Sequence, residues 1–190
     1  MILPGHLAGG YLVTKALALV VNPAMSPEQM VAIFIIGTLA GELPDIDIAI
    51  HIFTKYFTKR IDKPNHREYI THTPLFWAII SGIISSIGYL INSDFVIFGG
   101  LIILAGTWSH LLLDSIEYGV RWLWPFSNKR YSIIKESTEK VVFNNPGSIS
   151  YYFDVLKFSC GHKLLLYIEI CITLLALYFV ILTCVLKSLW

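Results

Sequence analysis

Apolar residues in this chain fall into long stretches, separated by short turns and by two longer polar segments. An apolar run of about 20 residues is long enough for a helix to cross a bilayer. The pattern predicts five membrane helices, over residues 7–21, 28–43, 74–91, 95–116 and 164–186. The first run is short, so a re-entrant path stays open for it. We predict an all-α integral membrane protein, a bundle of about five transmembrane helices in one domain over residues 1–190.

Turn residues mark the ends of several predicted helices. Ser26-Pro27-Glu28 offers an N-cap, a proline at the first helical position and an acid in the first turn. Thr73-Pro74 repeats the cap and the proline before the third helix. Pro44 ends the second helix, and Asn92-Ser93-Asp94 forms a polar turn before the fourth.

The two longer polar segments, 51–72 and 117–163, set the predicted orientation. Five of the 14 basic residues lie in the first segment and seven in or at the edge of the second. Because lysine and arginine accumulate on the cytoplasmic side, both segments and the N-terminus are predicted to be cytoplasmic. Within the second segment, Tyr131–Lys135 and Val141–Asn144 are β-prone runs that predict a small hairpin.

Composition agrees with a membrane protein. Hydrophobic residues make up 55% of the chain and charged residues 14%, against about 25% charged residues in soluble proteins, and the mean hydropathy is +0.66. A net charge of +1 argues against a nucleic-acid partner. The three cysteines show no metal-type spacing and indicate little about redox compartment. A signal peptide over residues 1–25 is the alternative for the first stretch, but Lys15 interrupts its apolar core.

Ionisable residues gather at the ends of the apolar stretches. When the predicted helices are threaded through a bilayer in order, nine of these residues fall on one side. They are His6, Glu42, Asp45, Asp47, His66, Arg67, His72, His110 and Asp114. Ionisable groups near lipid are energetically costly and usually functional.

His110 and Asp114 are four residues apart in the fourth predicted helix, so both side chains project from one face. An imidazole and a carboxylate at this spacing are a common pair of metal ligands. The alternative is a simple hydrogen bond between the two at the helix end.

Glu42, Asp45 and Asp47 surround Pro44, which frees the chain to turn at the membrane surface. In a turn the carboxylates can converge on a metal ion. The alternative is that Asp47 caps an amphipathic helix over residues 48–58, which explains only one of the three acids.

His66 and His72 precede the predicted start of the third helix, and Arg67 lies beside them. Arginine offers a planar pair of donors suited to phosphate or carboxylate. The alternative is a basic loop that contacts anionic headgroups, although such a loop would not need two histidines. His6 alone is weak evidence and gains weight from facing the same side.

Convergence of these segments predicts a metal centre. The predicted ligands are His6, Asp45, Asp47, His66, His72, His110 and Asp114. Mixed nitrogen and oxygen ligands favour Zn²⁺, with Mn²⁺ or Fe²⁺ as alternatives, and the number of ligands allows one or two ions. Glu169, inside the fifth helix, is a further candidate as a partner of a ligand histidine or as a snorkelling acid.

Several motifs resemble a known family. They are His6 near the start, GELPDID at 41–47, HREYITHT at 66–73, HLLLDSIEYG at 110–119 and LWPFSNKR at 123–130. Together, over residues 1–135, they resemble the YdjM-type inner-membrane proteins, whose expected activity is metal-dependent hydrolysis. The resemblance implies a membrane-bound hydrolase with these histidines and aspartates as metal ligands. Glu68, Thr73 and Glu117 depart from residues frequent in the family.

The resulting hypothesis is a metal-dependent hydrolase of the inner (cytoplasmic) membrane, with its site on the cytoplasmic side. Metal-activated water would attack a phosphoester or other ester of a membrane lipid or a lipid-linked small molecule. Glu42 would act as general base, and Arg67 would hold the substrate anion. The alternatives are a non-catalytic metal-binding or transport protein, and a scaffold that recruits a partner through residues 117–163.

Overall fold

The computed structural model describes residues 3–54, 57, 66–134, 157 and 163–188, without the side chains of His51, His66 and residues 186–188. The α-helices in this part of the chain are α1 (Leu3–Val21), α2 (Pro27–Ala40), α3 (Ile46–Phe53), α4 (Pro74–Leu90), α5 (Asp94–Glu117) and α6 (Lys163–Ser188). Three single turns of 3₁₀ helix, Leu43–Asp45, His66–Glu68 and Ile70–His72, lie in the connections.

Helix α5 packs against α1, α2 and α4, whereas α6 packs against α1. One buried cluster joins α2 and α5 through Ile33, Phe98 and Ile102. A second buried cluster joins α4, α5 and the segment after α5, with Trp77 and Leu111 at its centre. Because α5 contacts three other helices, side chains at its C-terminal end meet residues from several segments.

Small residues allow the helices to approach closely. A Cβ atom at Gly37 of α2 would collide with the Thr14 hydroxyl of α1, and one at Gly10 would collide with the Gly37 carbonyl. A Cβ atom at Gly106 of α5 would likewise collide with the side chain of Ala40 of α2. Close helix contacts through glycine and alanine are typical of membrane helices.

The outer surface is apolar. On α4, Ile79, Ile83 and Ile87 form an exposed stripe at helical spacing, and each side chain is about half exposed. A continuous exposed apolar face of this kind indicates contact with lipid or another apolar partner.

The predicted helical architecture is confirmed, and the five long helices lie close to their predicted bounds. Among the described residues, Asp94–Glu117 and Lys163–Val185 are long and apolar enough to span a membrane, and Pro27–Ala40 and Pro74–Leu90 are shorter apolar helices. The count of five spans therefore stays a prediction. Of the predicted hairpin, Val141–Asn144 lies outside the described residues, while Tyr131 forms a single antiparallel bridge with Val120.

The helix starts differ in detail from prediction. Ser26 caps α2 through a complete capping box with Gln29. Thr73 occupies the N-cap position of α4, but its hydroxyl donates to the Ile70 carbonyl and does not cap the helix. Helix α3 begins at Ile46 instead of residue 48, so Asp47 lies inside the helix and is not the residue that precedes it.

Candidate metal centre

His110 and Asp114 lie one turn apart at the C-terminal end of α5, and both side chains are fully buried. The Nε2 atom of His110 is 3.8 Å from Oδ2 of Asp114. This distance is too long for a hydrogen bond, so the simple helix-end bond considered from the sequence does not form. The two side chains instead face a common point reached by other segments.

The first turn of α1 brings His6 to this point. Its imidazole stacks on that of His110 with ring centroids 3.8 Å apart, and its Nε2 atom is 3.4 Å from Oδ1 of Asp114. His6, His110 and Asp114 each offer a ligand atom, and these atoms lie within 4.8 Å of one another. Such spacing is compatible with binding to one metal ion.

The turn after α2 contributes a backbone carbonyl and a carboxylate. Nδ1 of His110 donates to the Gly41 carbonyl at 2.7 Å. Because a carbonyl only accepts hydrogen bonds, Nδ1 carries the proton, and in the neutral ring the lone pair is on Nε2. That Nε2 atom is 3.6 Å from Oδ1 of Asp45.

His72 lies at the end of the 3₁₀ turn Ile70–His72 and is buried. Its Nε2 atom is 3.2 Å from Oδ2 of Asp114, and its Nδ1 atom is 2.8 Å from Oδ2 of Asp47. Asp45, His72 and His110 form a second group whose ligand atoms lie within 4.8 Å of one another. The site therefore collects residues from α1, α5, the turn after α2 and the loop before α4.

Asp47 contacts the outer nitrogen of His72 and belongs to neither ligand group. It also accepts a hydrogen bond of 3.2 Å from the Thr71 hydroxyl, and the Thr71 carbonyl accepts one from the Trp77 indole. A carboxylate on the far nitrogen of a histidine fixes the tautomer and orientation of a metal-ligating imidazole. The structure thus places Asp47 behind His72.

Arg67 is also buried within the site. Its Nε atom donates to Oδ2 of Asp114 at 2.9 Å, and its guanidinium lies 3.8 Å from the centre of the Tyr118 ring. These contacts hold the Asp114 carboxylate in place. The role of substrate-anion holder stays a prediction for Arg67, because part of its guanidinium already binds Asp114.

Glu42 and His66 are close in sequence to residues of this cluster. Glu42 precedes the 3₁₀ turn Leu43–Asp45, and its buried Oε1 atom makes no hydrogen bond within the described residues. Burial, followed by the nearby carboxylates of Asp45, Asp114 and Glu169, raises the pKa of Glu42 to about 8. His66 begins the turn His66–Glu68, and its side chain lies outside the described part of the chain.

The hydrogen bonding of the site fits a cation. Both ring nitrogens of His6 and Nε2 of His110 are buried and make no hydrogen bond within the described residues. Although burial opposes ionisation, His110, His72 and Arg67 hold the pKa of Asp45 down at about 2, so this carboxylate is ionised. Buried imidazole nitrogens without partners beside ionised carboxylates match the ligands that Zn²⁺, Mn²⁺ and Fe²⁺ take.

Two groups that contact residues of the site could not be predicted from the sequence. The Gly41 carbonyl is a backbone group, and Tyr118 acts through its ring face. Glu169 of α6 was a candidate, and the structure places it at α1, where its carboxylate accepts a 2.6 Å hydrogen bond from the backbone N–H of Gly5. It therefore supports the residue before His6.

Comparisons with known proteins give the family. No curated protein and no solved structure matches the chain. A family model described as YdjM inner membrane protein matches residues 1–188. That match covers nearly the whole chain, and it accords with the two helices that are long enough to span a membrane. The chain therefore belongs to the YdjM inner membrane protein family.

Proposed function

We propose that this protein is a metal-dependent hydrolase that cleaves a phosphoester or another ester of a lipid-like substrate at the membrane face. One observation carries the proposal: the chain brings two overlapping groups of histidine and aspartate ligand atoms together, each within 4.8 Å, from four separate segments. Of the five side chains in these groups, four are buried and Asp45 is 19% exposed. Burial of ionisable groups together is costly unless a cation or a function compensates for it.

Five residues would hold the ion: His6, Asp45, His72, His110 and Asp114. Both groups use His110, whose Nδ1 atom is bonded to Gly41, so its one remaining nitrogen serves a single ion. Asp47 and Arg67 would position ligands, since each bonds to a ligand side chain. A bound divalent ion would polarise an ester oxygen and would lower the pKa of a bound water to about 7.

Glu42 would serve as the general base. A group with a pKa of about 8 accepts and returns protons readily near neutral pH. In the proposed reaction a new bond forms between water oxygen and the ester's phosphorus or carbonyl carbon. Glu42 takes the proton from the water, the bond to the leaving oxygen breaks, and the proton passes to that oxygen.

A lipid-like substrate is supported by the surroundings of the site. The segment after α5 exposes Leu123 and Phe126, which are 52% and 94% exposed. Exposed apolar and aromatic side chains beside a membrane helix are suited to the interface, where lipid headgroups lie. The basic segments on this side of the membrane support a cytoplasmic location by the positive-inside rule.

The test is hydrolysis by detergent-purified protein of a panel of eight-carbon-chain substrates: a phosphomonoester, a phosphodiester and a carboxylic ester. We expect turnover of one class that chelator abolishes and that added Zn²⁺ or Mn²⁺ restores. Glu42→Gln should lower kcat by about 10²–10⁴-fold, the usual contribution of a general base. Asp94→Asn, an acid at the other end of α5, is the matched control. No metal-dependent turnover on any class would contradict the proposal.

A non-catalytic metal site is the second candidate, favoured by burial. His6, His72, His110 and Asp114 are each at most 1% exposed, and closed ligand sets are typical of structural metal sites. In that case metal would be retained and would raise thermal stability, while Glu42→Gln would change neither metal content nor any activity.

A further inference from the structure

A cavity lies beside the loop that carries Arg67 and His72. It has a volume of about 640 Å³ and is lined by Glu68, Arg121, Asn128 and Arg130. Arg121 is attached to the loop because its Nη2 atom donates to the carbonyls of Glu68 at 2.7 Å and Tyr69 at 3.0 Å. The cavity and the candidate metal centre therefore share one short loop.

The described lining of the cavity carries excess positive charge. Two guanidinium groups face one carboxylate, and the Asn128 amide adds a neutral donor. Arg130 Nη2 is 3.0 Å from Oε1 of Glu68, and these side chains are 22% and 32% exposed. This ion pair is only partly buried and Arg130 lines the cavity, so an incoming anion can bind its guanidinium beside Glu68.

Arg121 supplies an independent sign of a missing partner. Its Nε atom is buried and makes no hydrogen bond within the described residues. Burial, and then the charge of Arg130, lower the pKa of Arg121. A buried donor without an acceptor is energetically costly, and an oxyanion bound at the Arg121 guanidinium would give it a partner.

We propose that this cavity binds a phosphate group through Arg121 and Arg130. Guanidinium groups match phosphate oxygens in geometry and charge, and Arg67 is already engaged by Asp114. The phosphate belongs either to an anionic lipid headgroup or to a free phosphate or small phosphorylated compound. The further conclusion that the substrate of the enzyme is anionic rests on the proposed hydrolase function.

Equilibrium dialysis in detergent, with chelator present throughout, tests the cavity separately from metal and catalysis. The probes are labelled inorganic phosphate and dioctanoyl phosphatidic acid. The variants are Arg121→Gln, Arg130→Gln and Asn128→Asp, and the last adds a repelling charge while it leaves both arginines in place. Lys129→Gln is the matched control, because its ammonium lies over the Tyr131 ring, 5.4 Å from its centre, and it does not line the cavity.

We expect saturable binding that each of the three variants weakens about 10- to 100-fold and that Lys129→Gln leaves within about twofold. Tighter binding of phosphatidic acid than of phosphate assigns the site to a lipid headgroup, and equal binding assigns it to free phosphate. Absent binding of both probes, or binding that the three variants leave unchanged, overturns the proposal. A protein that binds phosphate but no metal keeps this site and loses the hydrolase function.

Discussion

The imidazole of His110 is held by the backbone carbonyl of Gly41, at 2.7 Å from Nδ1. This bond fixes the proton on Nδ1 and leaves Nε2 for a metal ion. The residue that supplies the carbonyl must also be small, because a Cβ atom at Gly41 would collide with the backbone oxygen of His6. Gly41 thus fixes the tautomer of His110 and allows α1, which carries His6, to pack closely against the turn.

Gly41→Ala should therefore impair the site. The added methyl group forces α1 away from the turn, and overpacking of this kind costs about 1–3 kcal/mol. Thermal unfolding and metal content of purified protein measure the effect, and both should fall. Gly82→Ala is the matched control, since a Cβ atom there meets nothing within 4 Å. Equal behaviour of the two variants would contradict the packing role of Gly41.

Asp47→Asn should weaken metal binding without removing a ligand of either group. The carboxylate orients His72 through a 2.8 Å contact with Nδ1, and loss of such a partner lowers metal affinity about 10- to 100-fold. Competition with a chromogenic chelator gives the affinity, with Asp94→Asn as control. A complete loss of metal, equal to that of His110→Ala, would show instead that Asp47 is a direct ligand.

Metal affinity should rise with pH. Burial alone would lower the pKa of His72, but its hydrogen bonds to Asp114 and Asp47 outweigh burial and raise the pKa to about 9 in the metal-free protein. Below that pH a metal ion must displace a proton from His72, so apparent affinity should increase up to about tenfold per unit between pH 7 and 9. Chelator competition across this range measures the slope. If the metal affinity of His72→Ala rises with pH as steeply as that of wild type, His72 is not the source of the pH dependence.

Glu169 should stabilise the first turn of α1. Its carboxylate accepts the Gly5 N–H at 2.6 Å, and alanine at this position would leave that buried donor unpaired at a cost of about 1–3 kcal/mol. Glu169→Gln retains an acceptor oxygen, so it should unfold at a temperature between those of wild type and Glu169→Ala. Metal content should follow the same order, because His6 is the next residue. Identical unfolding of both variants and wild type would refute this role.

Much of the helical framework was predictable because its signals are local. Apolar runs, the Ser26-Pro27 start and the spacing of His110 and Asp114 each depend on neighbouring residues in the chain. These features specify a helix and its facing side chains without knowledge of tertiary contacts.

The arrangement within the site was less predictable because it depends on contacts between distant segments. Asp47 and Asp45 are equivalent in sequence as acids after a turn, yet one contacts the outer nitrogen of His72 and the other lies near His110. Arg67 is predicted from the sequence to hold a substrate anion, and the structure adds a bond from its Nε atom to Asp114, 47 residues away. Neither contact can be read from a local pattern of residues in the sequence.

Metal content by mass spectrometry of detergent-purified protein, prepared without chelators, tests the central claim most directly. We predict one equivalent of Zn²⁺, Mn²⁺ or Fe²⁺ in the wild type, lost in His110→Ala and in Asp45→Ala and retained in Asp94→Ala. A wild-type protein that is well folded but free of metal, or variants that retain as much metal as wild type, would contradict the metal-centre account.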